Sequence, residues 1–300
     1  MINASNGSYS GNTQITISDC MNIEGICQKY DIAPEIATSY SNSGLSSLYP
    51  WQKECFFESN VLYGKKNLVY CVPTGSGKTL IAELAIFKWT TPEPGIRKKT
   101  LFILPYISLV EEKVKQMKRL VTVYNRSRLS HAGIKVKGIS GNVYVSARTL
   151  KSSHILICTI EKAAAIIDIF STPDRINSLG CVVIDEFHNI NDEKRGPILE
   201  SIISKIKLIN QVSHKKSTTI GIHSRPIYVQ IIALSATINN VQCLADWLDA
   251  HMFETTFRPI TLRKHAVIHG QIIDSKGNAI QNLYSGNSIK FQKFREKEWE

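Results

Sequence analysis

The chain has 300 residues, 43% hydrophobic and 20% charged, an ordinary globular mixture long enough to bury one large core or two modest ones. Its 36 Lys and Arg against 25 Asp and Glu leave a formal charge of +11, which points to a polyanionic partner rather than an acidic substrate pocket. Seven scattered cysteines (20, 27, 55, 71, 158, 181 and 243) exclude a disulfide framework or a zinc site and read as buried, reduced thiols. A basic-then-apolar leader and an apolar run of about 18 residues are both absent, so neither secretion nor a membrane span is expected.

Taken in order, Met1 to Asp19 is rich in Asn, Ser, Gly and Thr and reads as a flexible tail; residues 1–39 together are expected to form a flexible N-terminal region, with a short helix around Ile23 to Tyr30. Leu48 to Gln52 leads into a predicted helix over Lys53 to Leu62. Leu68 to Val72 is a short apolar, β-leaning run stopped by Pro73, Thr74 to Gly77 is a tight glycine loop, and Leu80, Ile81, Leu84, Ala85 and Trp89 mark a helical stripe. After a turn at Thr91 to Gly95 the pattern predicts a strand at Thr100–Leu104 and a helix at Ser108–Leu120. Strands at Lys135–Ile139 and Ile155–Cys158 precede a helix at Glu161–Phe170, and a fully apolar strand follows at Gly180–Ile184. Pro197–Ile209 reads as a helix, Val212 to Pro226 as a polar, basic loop, Val229–Leu234 as a strand and Asn240–Asp249 as a helix. Apolar strands alternating with helices predict an α/β fold with a doubly wound, mainly parallel sheet.

Ligands in such sheets bind beyond the carboxyl ends of the strands, and the segments that carry chemistry here follow directly after apolar strands. Thr74, Gly75, Ser76, Gly77, Lys78 and Thr79 form a phosphate cradle: glycines allow close backbone approach, and the helix N-terminus adds partial positive charge. Lys78 would reach the β- and γ-phosphates of ATP and the Thr79 hydroxyl would ligate Mg²⁺. The strict P-loop pattern has a glycine at position 72, where this chain has Val72. Asp185 and Glu186, after their own strand, fit the acidic half of the site, with Asp185 holding Mg²⁺ and Glu186 polarising the attacking water. His188 could be a surface or capping histidine and Ser235-Ala-Thr237 a simple strand end; neither carries a role by itself.

Together these segments carry a resemblance. Pro73 to Thr79, Asp185-Glu-Phe-His188 and Leu234-Ser-Ala-Thr237 resemble motifs I, II and III of superfamily 2 helicases, whose lobes are RecA-like. Leu48–Gln52, Leu104–Lys113, Thr159–Lys162, Arg195-Gly196 with Leu199-Glu200, and Thr256–Ile260 are similar to helicase Q and the helicase domain of DNA polymerase theta, over about Tyr40 to Leu262. The resemblance implies that Gln52 contacts the adenine, that His188, Ser235 and Thr237 couple the ATP site to DNA movement, and that Leu104–Lys113 and Thr159–Lys162 touch the DNA backbone. Phe187 stands where Leu is common. The implied roles are ATP-dependent DNA unwinding in DNA repair, in the nucleus of a eukaryote or the cytoplasm of a prokaryote.

Between Lys113 and Lys151 there are ten Lys and Arg and no Asp or Glu. Such a block neutralises phosphates without reading sequence. The DNA-binding candidates are Lys113, Lys115, Arg119, Thr159, Lys162 and Arg195. Residues 40–255 are expected to form one RecA-like lobe and 256–300 a linker or hairpin ending in a charged, helix-like Lys290–Glu300. No segment after Leu262 resembles a second lobe, so a fragment, a truncated gene product or a degenerate copy is expected. Three readings compete: the ATP-binding lobe of a DNA helicase, a nucleic-acid and ATP binding module without motor activity, and a small-molecule P-loop kinase, which would leave Gln52 and Ser235–Thr237 without a purpose.

Overall fold

The computed structural model describes residues 22–91, 97–128, 133–219, 228–236, 240–263, 265–274 and 277–282. Residues 22–257 of the first compact unit begin with α1 (Ile23–Lys29), α2 (Pro34–Asn42) and α3 (Pro50–Ser59). There follow β1 (Asn67–Cys71), α4 (Thr79–Thr90), β2 (Lys99–Leu104), α5 (Ile107–Leu120), α6 (Thr122–Arg126), β3 (Val136–Ile139), α7 (Ala147–Ser152) and β4 (Ile155–Thr159). The unit continues with α8 (Ile160–Phe170), α9 (Pro173–Ile176), β5 (Leu179–Ile184), α10 (Gly196–Thr219), β6 (Gln230–Ser235), α11 (Val241–Leu248) and β7 (Ala250–Glu254).

The strands form one seven-stranded sheet in the order β3-β4-β2-β5-β6-β1-β7, and every neighbouring pair is parallel. Strand side chains alternate between faces, so the middle of each central strand is apolar and feeds two cores. Leu68, Tyr70, Phe102, Val183 and Ile232 point into a core closed by α1 to α5. Val69, Leu101, Ile103, Val182 and Ile231 point into the other, closed by α8, α10 and α11. This is the doubly wound RecA-like arrangement. Asn67 staples its start: its Nδ2 donates to Leu248 O at 2.7 Å, and its Oδ1 accepts from Ile231 N at 2.8 Å and from the Tyr228 hydroxyl at 2.9 Å.

Three readings of the sequence change. Residues 22–39 belong to the ordered unit: Ile23, Ile26, Ile36 and Tyr40 are buried in the first core, because the few apolar residues in this polar stretch recur at helical spacing. The helix expected to end at Ile209 continues to Thr219, so the first part of the expected Val212–Pro226 loop is helical. Strand β7, absent from the sequence reading, pairs with β1 at the sheet edge. The tail to Asp19, most of the Thr91–Gly95 turn, Thr237 and Lys290–Glu300 lie outside the described residues.

The second compact unit, Arg258–Glu300, contains β8 (Ala266–Ile268), β9 (Gln271–Ile273) and β10 (Ala279–Asn282) as an antiparallel meander in the order β10-β9-β8. His269 and Gly270, at φ of 48° and 76°, make the two-residue turn between β8 and β9.

Candidate active site

The loop between β1 and α4 is held from behind by side chains that grip its carbonyls. Trp51 Nε1 donates to Ser76 O at 3.1 Å, Gln52 Nε2 to Gly77 O at 2.9 Å, and the Tyr70 hydroxyl to Lys78 O at 2.7 Å. Ser76 Oγ closes the loop on Pro73 O at 2.5 Å. Gly75 and Gly77 sit at φ of 78° and 81°, and a Cβ on Gly77 would come within 2.9 Å of Gln52 Nε2. Glycine is therefore required there by conformation and by space. Val72, the departure from the strict pattern, lies on the strand side of the loop: it is fully buried and its N–H donates to Ser235 O at 3.0 Å. Position 72 continues the sheet, so it needs no glycine.

The acidic half arrives from β5. Asp185 N–H donates to Ile103 O at 3.0 Å, fixing the residue at the sheet's carboxyl end, and its Oδ1 accepts from Glu186 N–H at 2.8 Å. Burial pushes the Asp185 carboxyl above the usual carboxylate range against the opposing pull of Lys78. Glu186 adopts φ 50°, ψ 51°. Among the described residues the other non-glycine positions at positive φ are Asp31, Asn60, Asn240, Asp249 and His269, types that tolerate this region, which leaves Glu186 as the strained one of this set. Its Oε1 pairs with Lys78 Nζ at 3.0 Å and its Oε2 lies 3.4 Å from His188 Nδ1. His188 Nδ1 is also 3.3 Å from Ser235 Oγ. Lys78, Glu186, His188 and Ser235 thus form one continuous polar chain across the carboxyl ends of β1, β5 and β6.

Beside this chain lies a cleft of about 470 Å³ lined by Tyr49, Gln52, Gly75, Gly77, Thr79 and Arg119, among others. That volume suits a small ligand. Gln52 is almost fully buried: besides gripping Gly77, its Oε1 accepts from Tyr49 N–H at 2.9 Å and so closes a capping box at the start of α3. Among the described residues no cluster of three or more metal-ligating side chains exists. Thr79 with the partly buried Asp185 matches the sparse protein share with which Mg²⁺ is held beside phosphates.

A family profile for DEAD/DEAH box helicases matches residues 49–244. The chain belongs to that family. It is 34% identical over 254 residues to DNA polymerase theta of Drosophila melanogaster, an alignment covering 85% of this chain and 11% of that protein. Against the human helicase POLQ-like the identity is 33%, covering 82% of this chain and 20% of the relative. Against the ATP-dependent DNA helicase Hel308 of Methanocella arvoryzae it is 33%, covering 79% and 28%. The chain therefore spans less than a third of the length of each of these relatives. The crystal structure of the DUF1998 helicase MrfA superposes with a TM-score of 0.55 at 20% identity, over 74% of this chain and 32% of that one, a likeness of fold.

Within this helicase domain the residues expected at DNA divide into groups. Tyr106 after β2, Glu161 at the start of α8 and Arg195 before α10 converge: Arg195 Nε lies 3.2 Å from Glu161 Oε1, with its guanidinium 5.0 Å from the Tyr106 ring centroid. Thr159 is buried at the N-cap of α8 and Lys162 is half-buried on that helix's first turn. Gly196 is dictated by space, since a Cβ there would meet Ile190 O at 2.3 Å. Lys113, expected at DNA, has a second commitment inside the fold. Its ammonium turns inward to Glu83 Oε1 at 3.1 Å, and the Tyr40 hydroxyl donates to Glu83 Oε2 at 2.7 Å. Burying Glu83 requires that partner, and the same ammonium also donates to Gln116 Oε1 at 2.6 Å on the exposed side. Lys115 is exposed on α5, and Arg119 lines the cleft beside the P-loop. The sequence reading assigned no task to Trp51, Tyr70 or Glu83; the first lies in the quoted Leu48–Gln52 segment, and the other two looked like ordinary strand and helix positions.

Proposed function

We propose that this chain is the nucleotide-binding lobe of an ATP-dependent DNA helicase of the Hel308 and polymerase theta kind, with a role in DNA repair. The observation that carries the reading is the chain of polar contacts from Lys78 through Glu186 and His188 to Ser235. It joins the phosphate cradle to the end of β6, and a lobe that only stored ATP would have no use for that connection. In this reading Thr74 to Thr79 cradle the phosphates, and Lys78 leaves Glu186 for the γ-phosphate. Freed, Glu186 accepts the proton of the attacking water. Mg²⁺, when bound, neutralises phosphate charge, and Thr79 and Asp185 are the residues that would hold it. His188 senses the change on Glu186 and passes it to Ser235 and, with it, to Thr237.

DNA, in the same reading, runs past Lys162 and past Tyr106 and Arg195, where an exposed aromatic and a cation lie together. An arginine finger from a partner lobe contributes about 10³ to 10⁵ in rate, so these 300 residues alone bind ATP and hydrolyse it near background.

The test measures oligonucleotide affinity by anisotropy with and without a non-hydrolysable ATP analogue. His188→Ala keeps ATP affinity within about threefold, roughly 0.7 kcal/mol, and removes the effect of the analogue on DNA binding. A loss of ATP affinity in His188→Ala as large as that in Lys78→Ala would overturn the coupling role.

A further inference from the structure

The amino ends of the strands carry a second concavity, of about 590 Å³. Lys99 opens β2, Lys151 lies just before β4 and Ser178 just before β5, and all three line it. The P-loop and Asp185 follow the carboxyl ends. The five residues of β4 alone separate the two ends by roughly 16 Å at about 3.3 Å per residue, so this pocket is no part of the nucleotide site.

Its lining has two parts. Leu150, Ile169 and Phe170 form an apolar floor, and Arg148, Lys151 and Arg175 stand exposed on the rim. Among the described residues none of these three cations has a side-chain hydrogen bond or an ion pair, and none of the lining residues is acidic. Elsewhere on the protein, by contrast, Lys113, Arg128, Arg195 and Lys205 each meet a carboxylate. The wall is fixed by Lys99, whose Nζ donates to Lys151 O at 2.8 Å and Ser153 O at 2.5 Å, tying α7 to the start of β2.

Three cations without an ion pair among the described residues, set around an apolar floor, call for an occupant that is anionic at its edges and apolar in its middle. A nucleic-acid strand would pair its phosphates with the rim, but its bases need an exposed aromatic face to stack on, and the only aromatic in this lining, Phe170, is buried. A short peptide with an apolar anchor between carboxylates uses both parts, as protein interfaces do with a desolvated centre and a polar rim. We propose that this pocket docks a short acidic segment of a partner protein, which seats a Leu or Phe side chain on Leu150, Ile169 and Phe170. Its flanking carboxylates meet Arg148, Lys151 and Arg175.

The experiment titrates the 300-residue chain into a fluorescein-labelled peptide, Glu-Asp-Glu-Leu-Phe-Asp-Glu-Asp, and reads anisotropy. Arg148→Glu with Arg175→Glu weakens binding about tenfold or more, the effect expected for reversing charged hydrogen-bond partners, while affinity for an ATP analogue stays within about twofold. Ala147→Trp, which fills the pocket without changing its charge, weakens the peptide to a similar degree. A probe with Ser-Ser in place of Leu-Phe also loses about tenfold, as expected of an anchor side chain. Equal affinity of either variant and the parent, or of the two probes, would overturn the proposal. So would displacement of the peptide by an oligo-dT strand whose own affinity falls in parallel in the Arg148→Glu, Arg175→Glu protein, which would make this end of the sheet a nucleic-acid surface.

Discussion

Lys113→Ala distinguishes a lysine that serves the fold from one that serves DNA. The Glu83 side chain is 3% exposed and that of Lys113 14%, with 3.1 Å between charged atoms. At an effective dielectric constant of about 20 the attraction is of order 5 kcal/mol, most of which offsets the desolvation of both groups. The intact pair is therefore worth little net, yet removing one partner leaves Glu83 buried with only the Tyr40 hydroxyl. Such a loss costs about 3–5 kcal/mol. For a domain of this size each kcal/mol moves the midpoint by roughly 2–4 °C, so thermal unfolding of Lys113→Ala should begin about 6–12 °C or more below the parent. Lys115→Ala, on the same helix and exposed, should melt within about 1 °C of it. Adding Glu83→Gln to Lys113→Ala should recover much of the loss, because no buried charge then remains. If Lys113→Ala melts with the parent while its affinity for an oligonucleotide collapses, the inward ion pair is irrelevant and the reasoning fails.

Two further outcomes follow from strain and burial. Glu186→Asn and Glu186→Gln both remove the charge, but Asn tolerates the left-handed backbone better, so the Asn variant should melt about 2–4 °C above the Gln variant, roughly 1 kcal/mol; equal midpoints would show that Glu186 is unstrained. His154, its pKa lowered to about 4 by burial and by Arg97, Lys99 and Lys135, stays neutral in the folded state while the unfolded chain gains a proton below about pH 6.5. Its contribution is complete above that pH and is lost as pH falls toward 4, worth about 1–2 kcal/mol after allowance for its partial exposure. Urea midpoints between pH 7 and 4 should show a shallower slope in His154→Gln, and an unchanged slope would remove His154 as the cause.

The parts of this protein that read well in sequence are those where a short apolar run ends in a change of chemistry. Val69 to Cys71, Cys181 to Ile184 and Ile231 to Leu234 are apolar because both faces of the sheet are covered, and that same burial forces the polar residues to the strand ends. Other features depend on partners far away in the chain. Nothing near Lys113 reveals that Glu83, thirty residues earlier, will pair with its charge. Gln52 reads as a ligand contact, and its grip on Gly77 appears only when α3 folds against the loop. Helix α2 was hidden by Pro34 and by Thr, Ser and Asn, which suit loops as well as a short helix stabilised by packing. The end of α10 was hidden for the opposite reason, since its last turns carry His, Lys, Ser and Thr without an apolar stripe.

The central claim is that Lys78, which pairs with Glu186 at 3.0 Å, transfers to the phosphates when ATP binds. Titration of a fluorescent ATP analogue with Mg²⁺ into the parent, Lys78→Ala and Glu186→Gln tests it with opposite signs. Lys78→Ala should lose about 100-fold or more in affinity, near 2.7 kcal/mol, as expected for a lost charge-assisted contact. Glu186→Gln should bind several-fold more tightly, because no carboxylate then competes for the lysine. Unchanged affinity in Lys78→Ala, or weaker binding in Glu186→Gln, would contradict the account.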